Sequence, residues 1–266
     1  MATISAKMVK ELRDKTGVGM MECKKALTAT DGDMDTALEE LRKAGIAKAG
    51  AKAHRSAKEG RVLTSNDNGV HVLAEVLCET DFVAKTADFQ AFTAKVVALA
   101  KTLDADGCVT EAVAEGTKGD LTDLIGKIGE NMQVRRVARW QPAGSCASYI
   151  HMGGKVGVLA EVEGEADDEL MHDLCLHIAA FSPAYIAPED IPAEVIAKEK
   201  EIGAAQVEGK PAEILEKIVM GKINKWYTQV CLTRQPWVKD DKKSFAKIAP
   251  KVTIKRFLRW QVGEEI

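Results

Sequence analysis

The apolar residues of positions 1–45 recur at helical spacing and predict three short helices. Ser5 can cap the first helix and Gly17 can end it. Asp33 can cap the third helix, which we expect to end at Gly45. The apolar faces are formed by Met8, Val9, Leu12, Met20, Cys23, Ala26, Leu27, Met34, Ala37, Leu38 and Leu41. So few apolar side chains predict a small helical domain over residues 1–45.

Residues 46–60 change character, because they are rich in alanine and basic residues and have no apolar stripe. We interpret this stretch as a solvated linker that is partly helical. Its basic residues could contact RNA, but solvated spacing is the simpler interpretation.

From Arg61 the apolar period changes to that of strands. Arg61–Ser65 and Val70–Cys78 predict a hairpin around the turn Asn66–Gly69. A helix should follow, with its apolar face formed by Phe89, Phe92, Val96, Leu99 and Leu103. We then expect a loop of glycines and acidic residues, a helix around Leu121–Ile128 and a strand around Met132–Trp140.

Two strand motifs occur twice in the same order. Val72–Val76 recurs 86 residues later as Val158–Val162, and Arg136–Gln141 is echoed 120 residues later by Arg256–Gln261. Two ordered repeats predict two copies of one α+β unit, over residues 61–142 and 143–266.

The offsets of 120 and 86 differ by 34 residues, so the second copy carries an insertion. We place it at about residues 190–227, where apolar spacing is helical on both sides of Gly209-Lys210-Pro211. The insertion should be a projecting helical hairpin. Such a hairpin is either an interaction element, including a possible homodimer contact, or packed structure.

Composition narrows the function classes. The 266 residues suggest two or three domains, and 46% hydrophobic with 29% charged residues is typical of a globular protein. A net charge of -3 gives no reason to expect nucleic acid as a partner. No apolar run is long enough for a membrane span, and Met1–Ile4 begins no signal or transit pattern. The six cysteines form no CxxC pair and are expected to be reduced thiols packed as small hydrophobic side chains.

Signatures of catalysis are missing as well. The sequence has no GxxxxGK[ST], GxGxxG or GxSxG motif, and the five histidines make no metal signature. We therefore expect no enzyme activity, no cofactor, no metal and no direct nucleotide binding. A protein-binding adaptor and an RNA reader remain alternatives. The basic pairs Arg135-Arg136 and Lys255-Arg256 would serve the latter, but they alternate with apolar residues like the exposed face of a strand.

Three stretches resemble the elongation factor Ts family: Val9–Leu27, Glu79–Ala84 and His151–Leu159. The resemblance covers about residues 3–262. It implies an N-terminal three-helix domain similar to ubiquitin-associated domains, a duplicated α+β core and an inserted hairpin. It also implies a cytoplasmic translation factor that promotes GDP release from elongation factor Tu. Some family members continue into a C-terminal helical module, whereas this sequence ends at Gly263–Ile266, so that contact is not expected here.

The resemblance also implies which residues contact the GTPase. Thr80, Asp81, Phe82 and Val83 follow a strand and precede a helix, so they should lie on a loop held by rigid elements. By resemblance, this loop enters the nucleotide domain and displaces its Mg²⁺. The family's N-terminal contacts map to Arg13, Met20, Met21 and Lys24, and weaker ones to Lys52 and His151.

Plainer interpretations of these residues stay open. Phe82 could pack in the core while Asp81 caps a turn. Met20 and Met21 could both be core residues, although adjacent helical side chains point about 100° apart, so one should be free.

Overall fold

The computed structural model describes residues 4–207 and 211–265. The described helices are α1 Ala6–Thr16, α2 Met20–Ala29, α3 Met34–Lys52, α4 Asp81–Ala84, α5 Ala87–Thr102, α6 Thr110–Ile128, α7 Asp168–Phe181, α8 Ala193–Ala205, α9 Ala212–Val230 and α10 Phe245–Ile248. The described strands are β1 Glu59–Asp67, β2 Val70–Cys78, β3 Gly107–Cys108, β4 Met132–Trp140, β5 Ser145–His151, β6 Val156–Glu163, β7 Pro236–Trp237, β8 Asp240–Ser244 and β9 Thr253–Gln261. The protein is therefore α+β, as predicted.

The predicted caps of the first helices are confirmed. The Ser5 hydroxyl accepts a hydrogen bond from the Met8 amide, and Gly17 ends α1 with a φ of 66°. The Asp33 carboxylate accepts from the Thr36 amide at 2.7 Å at the start of α3. The three helices surround a small cluster of buried residues: Val9, Leu12, Cys23, Leu27 and Ala37.

The prediction that Gly45 ends α3 is wrong, because the helix continues to Lys52 and takes up half of the expected linker. α3 passes close to α6 at this point, where a Cβ on Gly126 of α6 would lie 3.6 Å from the Gly45 Cα. Beyond this contact, the Lys52 ammonium donates to the Gly129 carbonyl at 2.6 Å, at the negative end of α6. The predicted strand at Arg61 starts two residues earlier, at Glu59.

The expected loop after α5 is largely helical, which corrects a second prediction. α6 begins at Thr110 and includes Gly116 and Gly119. Gly116 lies so close to α5 that a Cβ there would meet the Leu99 side chain at 2.5 Å. The glycine is therefore needed for close packing of the two helices, although it weakens the local helical signal.

The hairpin and the repeated strands are confirmed in detail. β1 and β2 pair antiparallel around a turn at Asn68-Gly69, both with positive φ. In the first sheet, of order β1-β2-β4-β3, Glu75 pairs with Arg136; in the second, of order β5-β6-β9, Glu161 pairs with Arg256. Each pairing is followed by a bulge at the equivalent position. Sequence repeat and strand register therefore agree.

The two sheets contact each other through a shared apolar cluster. It joins Val62, Leu73, Ala138 and Trp140 of the first sheet to Leu159 and Trp260 of the second. The Arg136 guanidinium lies 4.7 Å from the centroid of the Trp260 ring, and Arg256 lies 4.2 Å from that of Trp140. Each half thus places its arginine on the tryptophan of the other half.

Helices cover the outer faces of both sheets. α5 and α6 enclose one core cluster with β2 and β4, while α7 and α10 enclose another with β6 and β9. Because β2 is covered on both faces, its residues from His71 to Cys78 are all buried.

The insertion is helical, as predicted, and is formed by α8 and α9 packed against each other. α9 extends to Val230, three residues past the predicted end. Of the predicted turn Gly209-Lys210-Pro211, the first two residues lie outside the described part of the chain.

One buried carboxylate ties the chain end to the first sheet. Glu75 is fully buried and binds Arg135 at 3.3 Å, Arg136 at 2.5 Å and the Gly263 amide at 2.9 Å. Its counterpart Glu161 is half-buried and binds Arg256 at 2.6 Å.

We predict that Glu75→Ala lowers the free energy of unfolding by about 3–5 kcal/mol, because it removes a fully buried carboxylate that binds the half-buried Arg135 and Arg136 and the Gly263 amide. Urea denaturation measures this. Glu161→Ala is the matched control and should cost clearly less, since its carboxylate holds fewer donors and is closer to solvent. Equal losses in the two variants would contradict the assignment.

Candidate functional site

Thr80–Val83 lies where β2 ends and the one-turn helix α4 begins. Thr80 has an extended backbone and caps α4, since its hydroxyl accepts from the Val83 amide at 3.4 Å. Val83 and Ala84 are buried against the first core cluster. The buried Val83 side chain therefore anchors the turn to the first core cluster.

Phe82 points the opposite way. It is 78% exposed, the highest value among the exposed large apolar side chains of the described residues. The interpretation that Phe82 packs in the core is thereby excluded. A large aromatic ring on an anchored turn is a feature typical of interaction surfaces.

Glu130 holds this turn, a role that the sequence analysis did not find. Its carboxylate accepts from the Glu79 amide at 3.1 Å, the Thr80 amide at 3.0 Å and the Thr80 hydroxyl at 2.7 Å. Glu130 lies between α6 and β4, fifty residues away in the chain. No local pattern could have signalled a contact over that separation.

A second set of polar contacts joins the same turn to the end of the linker. The Glu79 carboxylate accepts from the Asn131 amide and pairs with Arg55, both at 2.6 Å. The Asn131 side chain in turn donates to the Arg55 carbonyl at 2.6 Å. The base of the Thr80–Val83 turn is therefore fixed from two directions.

Asp81 is charged and accessible. Its carboxylate binds Lys85 one helical turn later at 2.7 Å, and this contact holds the pKa of Asp81 below its usual range. Thr80, not Asp81, provides the cap of α4.

His151 is the last residue of β5, and the turn that follows it lies close to this loop. Its Nδ1 lies 3.0 Å from the Tyr149 hydroxyl, and the following Met152 is exposed with a φ of 50°. A cavity of about 390 Å³ separates the two turns, with Asp81 on one wall and Met152 on the other. Met152 was not among the sequence-predicted residues, although a large apolar residue before two glycines is a usable signal.

The region where α1 meets α2, here called the N-terminal corner, comprises Arg13, Gly17, Met20, Met21 and Lys24. Both of its methionines are exposed to solvent. Met20 and Met21 are exposed, and neither belongs to the buried cluster of the three helices. The interpretation of both as core residues is therefore excluded, and the placement of Met20 on the apolar face of α2 is wrong. Arg13 and Lys24 are exposed nearby in sequence.

The corner itself is placed against the core near α5. A Cβ on Gly17 would meet the Lys127 side chain at 2.8 Å, and Lys127 binds Asp88 in the first turn of α5 at 2.8 Å. Because α5 follows α4 directly, the corner and Phe82 flank one end of the same helix.

Lys52 differs from the other predicted contact residues, because its ammonium is bonded to the Gly129 carbonyl and its side chain is half-buried. It stabilises the packing of α3 on α6.

The cysteines are free thiols. Burial raises the pKa of Cys78, Cys146 and Cys175 to about 12, so these thiols stay protonated at neutral pH. Cys108 is exposed, which departs from the expectation of packed thiols. Within residues 4–207 and 211–265, no group of three or more potential metal-binding side chains is assembled.

We predict that Glu130→Ala loosens the Thr80–Val83 turn, because three donors lose their acceptor. Hydrogen exchange at the Glu79 and Thr80 amides should accelerate about tenfold or more, and the free energy of unfolding should fall by about 1–3 kcal/mol. Glu115→Ala, at an exposed ion pair on α6, is the control and should change neither. Unaltered exchange at Thr80 in the Glu130 variant would refute the role.

Comparison with known proteins agrees with the motifs. The family model "Elongation factor TS" matches residues 79–264. A curated elongation factor Ts of Clostridium perfringens is 46% identical over 286 residues, covering 99% of this chain and 94% of the relative. That of Vibrio vulnificus is 46% identical, with coverages of 99% and 93%, and that of Aliivibrio fischeri is 44% identical, with 100% and 94%.

Among the described helices, none combines the length and apolar character that crossing a bilayer requires. Family match and full-length identity point the same way, so the chain belongs to the elongation factor Ts family and has the role of a translation elongation factor.

Proposed function

We propose that this chain binds elongation factor Tu in its GDP-bound state and promotes release of the GDP. The observation that carries the proposal is that the Phe82 ring is 78% exposed, on a turn that Glu130 and the buried Val83 hold in place. Membership of the elongation factor Ts family supplies the partner.

The Thr80–Val83 turn is held firmly enough to act as a wedge, by which we mean an element that inserts into the nucleotide domain of the partner. A translational GTPase holds its nucleotide through a phosphate-binding loop and a Mg²⁺ ion, so release requires that these contacts weaken. Burying the Phe82 ring in the partner would contribute about 2–3 kcal/mol. Because the turn is already ordered, little of this free energy is lost in fixing its conformation. Asp81 brings a negative charge next to the ring, where it can disturb the balance of charges around the Mg²⁺.

Contacts away from the wedge hold the partner in place. We assign this role to Met20, Met21, Arg13 and Lys24 of the N-terminal domain, and to His151. The exposed methionines provide adaptable apolar contact, and the two cations provide charge at the same corner. The corner and the wedge lie at one end of α5, so a single nucleotide domain can reach both.

The action is non-covalent. No bond is made or broken, and the chain binds neither nucleotide nor cofactor. Coupling between nucleotide and exchange factor is reciprocal: if this chain lowers the affinity for GDP, then GDP lowers the affinity for this chain by the same factor. The cytoplasm is the compartment in which this activity is needed. A homodimer through the α8–α9 hairpin is compatible with the proposal but not required by it.

We predict that Phe82→Ala lowers the maximal rate of stimulated GDP release from elongation factor Tu by about tenfold or more, since the ring acts in the release step. Release of fluorescently labelled GDP measures this rate. The matched control, Ile202→Ala, removes another exposed apolar side chain, on α8, and should leave the rate unchanged. Wild-type release by a folded Phe82 variant would overturn the wedge.

We predict a different signature for Met21→Ala. Its side chain contributes to holding the partner, so the dissociation constant should rise about tenfold while the maximal release rate at saturation stays close to normal. A titration of the release rate against the concentration of the chain separates the two quantities. A lowered maximal rate with unchanged half-saturation would contradict the division between hold and wedge.

A further inference from the structure

The two halves of the core differ at one sheet edge. In the first sheet, β3 pairs with the outer side of β4, with Gly107 opposite Arg139 and Cys108 opposite Ala138. The second sheet ends at β9, and within the described residues no strand pairs with the outer side of β9. The duplicated unit is therefore one strand short in its second copy.

The hydrogen bonds of β3 identify the groups that are left open. The Val137 carbonyl accepts from the Val109 amide at 2.9 Å, and the Val137 amide donates to the Thr110 hydroxyl at 2.8 Å. One step further, the Gln141 amide donates to the Asp106 carboxylate at 2.9 Å. With the offset of 120, the equivalents of Val137 and Gln141 are Phe257 and Gln261.

Backbone direction agrees with this equivalence. The Val262 amide donates to the Lys155 carbonyl on the β6 side, so the amides of Phe257, Arg259 and Gln261 point away from β6. In the described part of the chain, none of these three amides has a hydrogen-bond acceptor. β9 therefore presents a row of unpaired donors.

Residues of β9 are also more exposed to solvent than the equivalent residues of β4. Val137, Ala138 and Arg139, which β3 covers, are 1%, 4% and 6% exposed. Their equivalents Phe257, Leu258 and Arg259 are all partly exposed. A cavity of about 490 Å³ beside Arg259 and Gln261 reaches across to His151, and its Lys155 is already paired with Glu59.

The chemistry of the missing strand follows from the segment present in the first half. That segment, Asp104–Thr110, is short, contains a glycine and carries two aspartates. The cations of β9, Lys255, Arg256 and Arg259, are already paired with carboxylates of the chain. The preference for an acidic segment therefore comes from Asp106, whose carboxylate accepts from the Gln141 amide in the first half. A second copy of β9 fits poorly, because antiparallel pairing centred on Phe257 would place Lys255 opposite Arg259.

We propose that the outer edge of β9 is a binding site for an acidic, extended segment of a partner protein, which adds a fourth strand to the second sheet. The segment bonds the amides of Phe257 and Arg259, as β3 bonds β4. An aspartate on it accepts from the Gln261 amide, as Asp106 accepts from the Gln141 amide in the first half. Phe257, Arg259 and Gln261 are not among the residues to which we assign nucleotide exchange, so the proposal does not depend on that activity.

The first test is hydrogen exchange in the full isolated chain. The Phe257 amide should exchange at least about a hundredfold faster than the Val137 amide, since only the latter has an acceptor. Equal protection of both amides would mean that the edge of β9 is already covered and would overturn the proposal.

The second test is a titration of the ¹⁵N-labelled full chain, followed by NMR. The probe is a capped heptapeptide with the sequence Asp104–Thr110 and serine for the cysteine. We expect saturable shifts at the amides of Phe257, Arg259 and Gln261. A peptide with asparagine for both aspartates should bind about tenfold more weakly.

Two single substitutions test whether the positive charge of β9 contributes to peptide binding. Arg259→Gln should weaken peptide binding about fivefold or more, whereas Lys251→Gln, the same charge change on an exposed residue outside β9, should not. Shifts confined to Val137 and Arg139, or no saturable shift in the folded chain, would overturn the proposal. Concentration-dependent protection of Phe257 without peptide would do so as well, because it would assign the edge to a second copy of the chain.

Discussion

The contact between the two sheets is the constraint on which the rest of the structure depends. Arg136 lies on Trp260 and Arg256 on Trp140, so each half supplies the cation for the aromatic ring of the other. Around these pairs, Leu73 and Leu159 exclude water from the shared cluster. The arrangement requires both strands of each half to keep one register, because a slip of one residue would turn the arginines away from the rings. The bulges after Glu75 and Glu161 maintain that register at equivalent points.

The candidate site depends on this contact for its position. β2 is covered on both faces, so the residues that follow it leave a rigid strand at a fixed point. Glu130 then binds the Thr80 backbone and hydroxyl, and Val83 anchors α4 in the core, which leaves Phe82 as the exposed member of the turn. The turn between β5 and β6 belongs to the second sheet, and sheet contact brings its Met152 to the cavity beside Asp81. The contact between the sheets thus positions Phe82 of the first half and Met152 of the second on one surface, although the two residues are not bonded to each other.

The halves have diverged mainly at their edges, while the paired strands have kept their pattern. The first half retains β3 and the long helix α6, on which the N-terminal helices pack through Gly45 and Gly126. The second half carries α8 and α9 and leaves the outer side of β9 open. β3 and the α8–α9 insertion can change without disturbing the shared cluster, because the cluster contains none of their described residues. Differences in binding between the halves are therefore expected there.

By itself, the sequence determined the elements whose signals are local: the caps at Ser5, Gly17 and Asp33, the turn at Asn68-Gly69, the strand Met132–Trp140 and the duplication. Those signals act over a few residues or repeat along the chain, so they can be read without a fold. Sequence reasoning failed at Gly45 and Gly116, because glycine weakens the helical signal locally but does not end a helix that packs against its neighbours. At Gly116, α6 lies so close to α5 that a Cβ would meet the Leu99 side chain. Sequence reasoning also could not find Glu130, whose carboxylate lies fifty residues from the turn it holds, or establish that Phe82 points outward while Val83 points inward. The tertiary structure decided these matters, because burial and long-range hydrogen bonds depend on which surfaces come together.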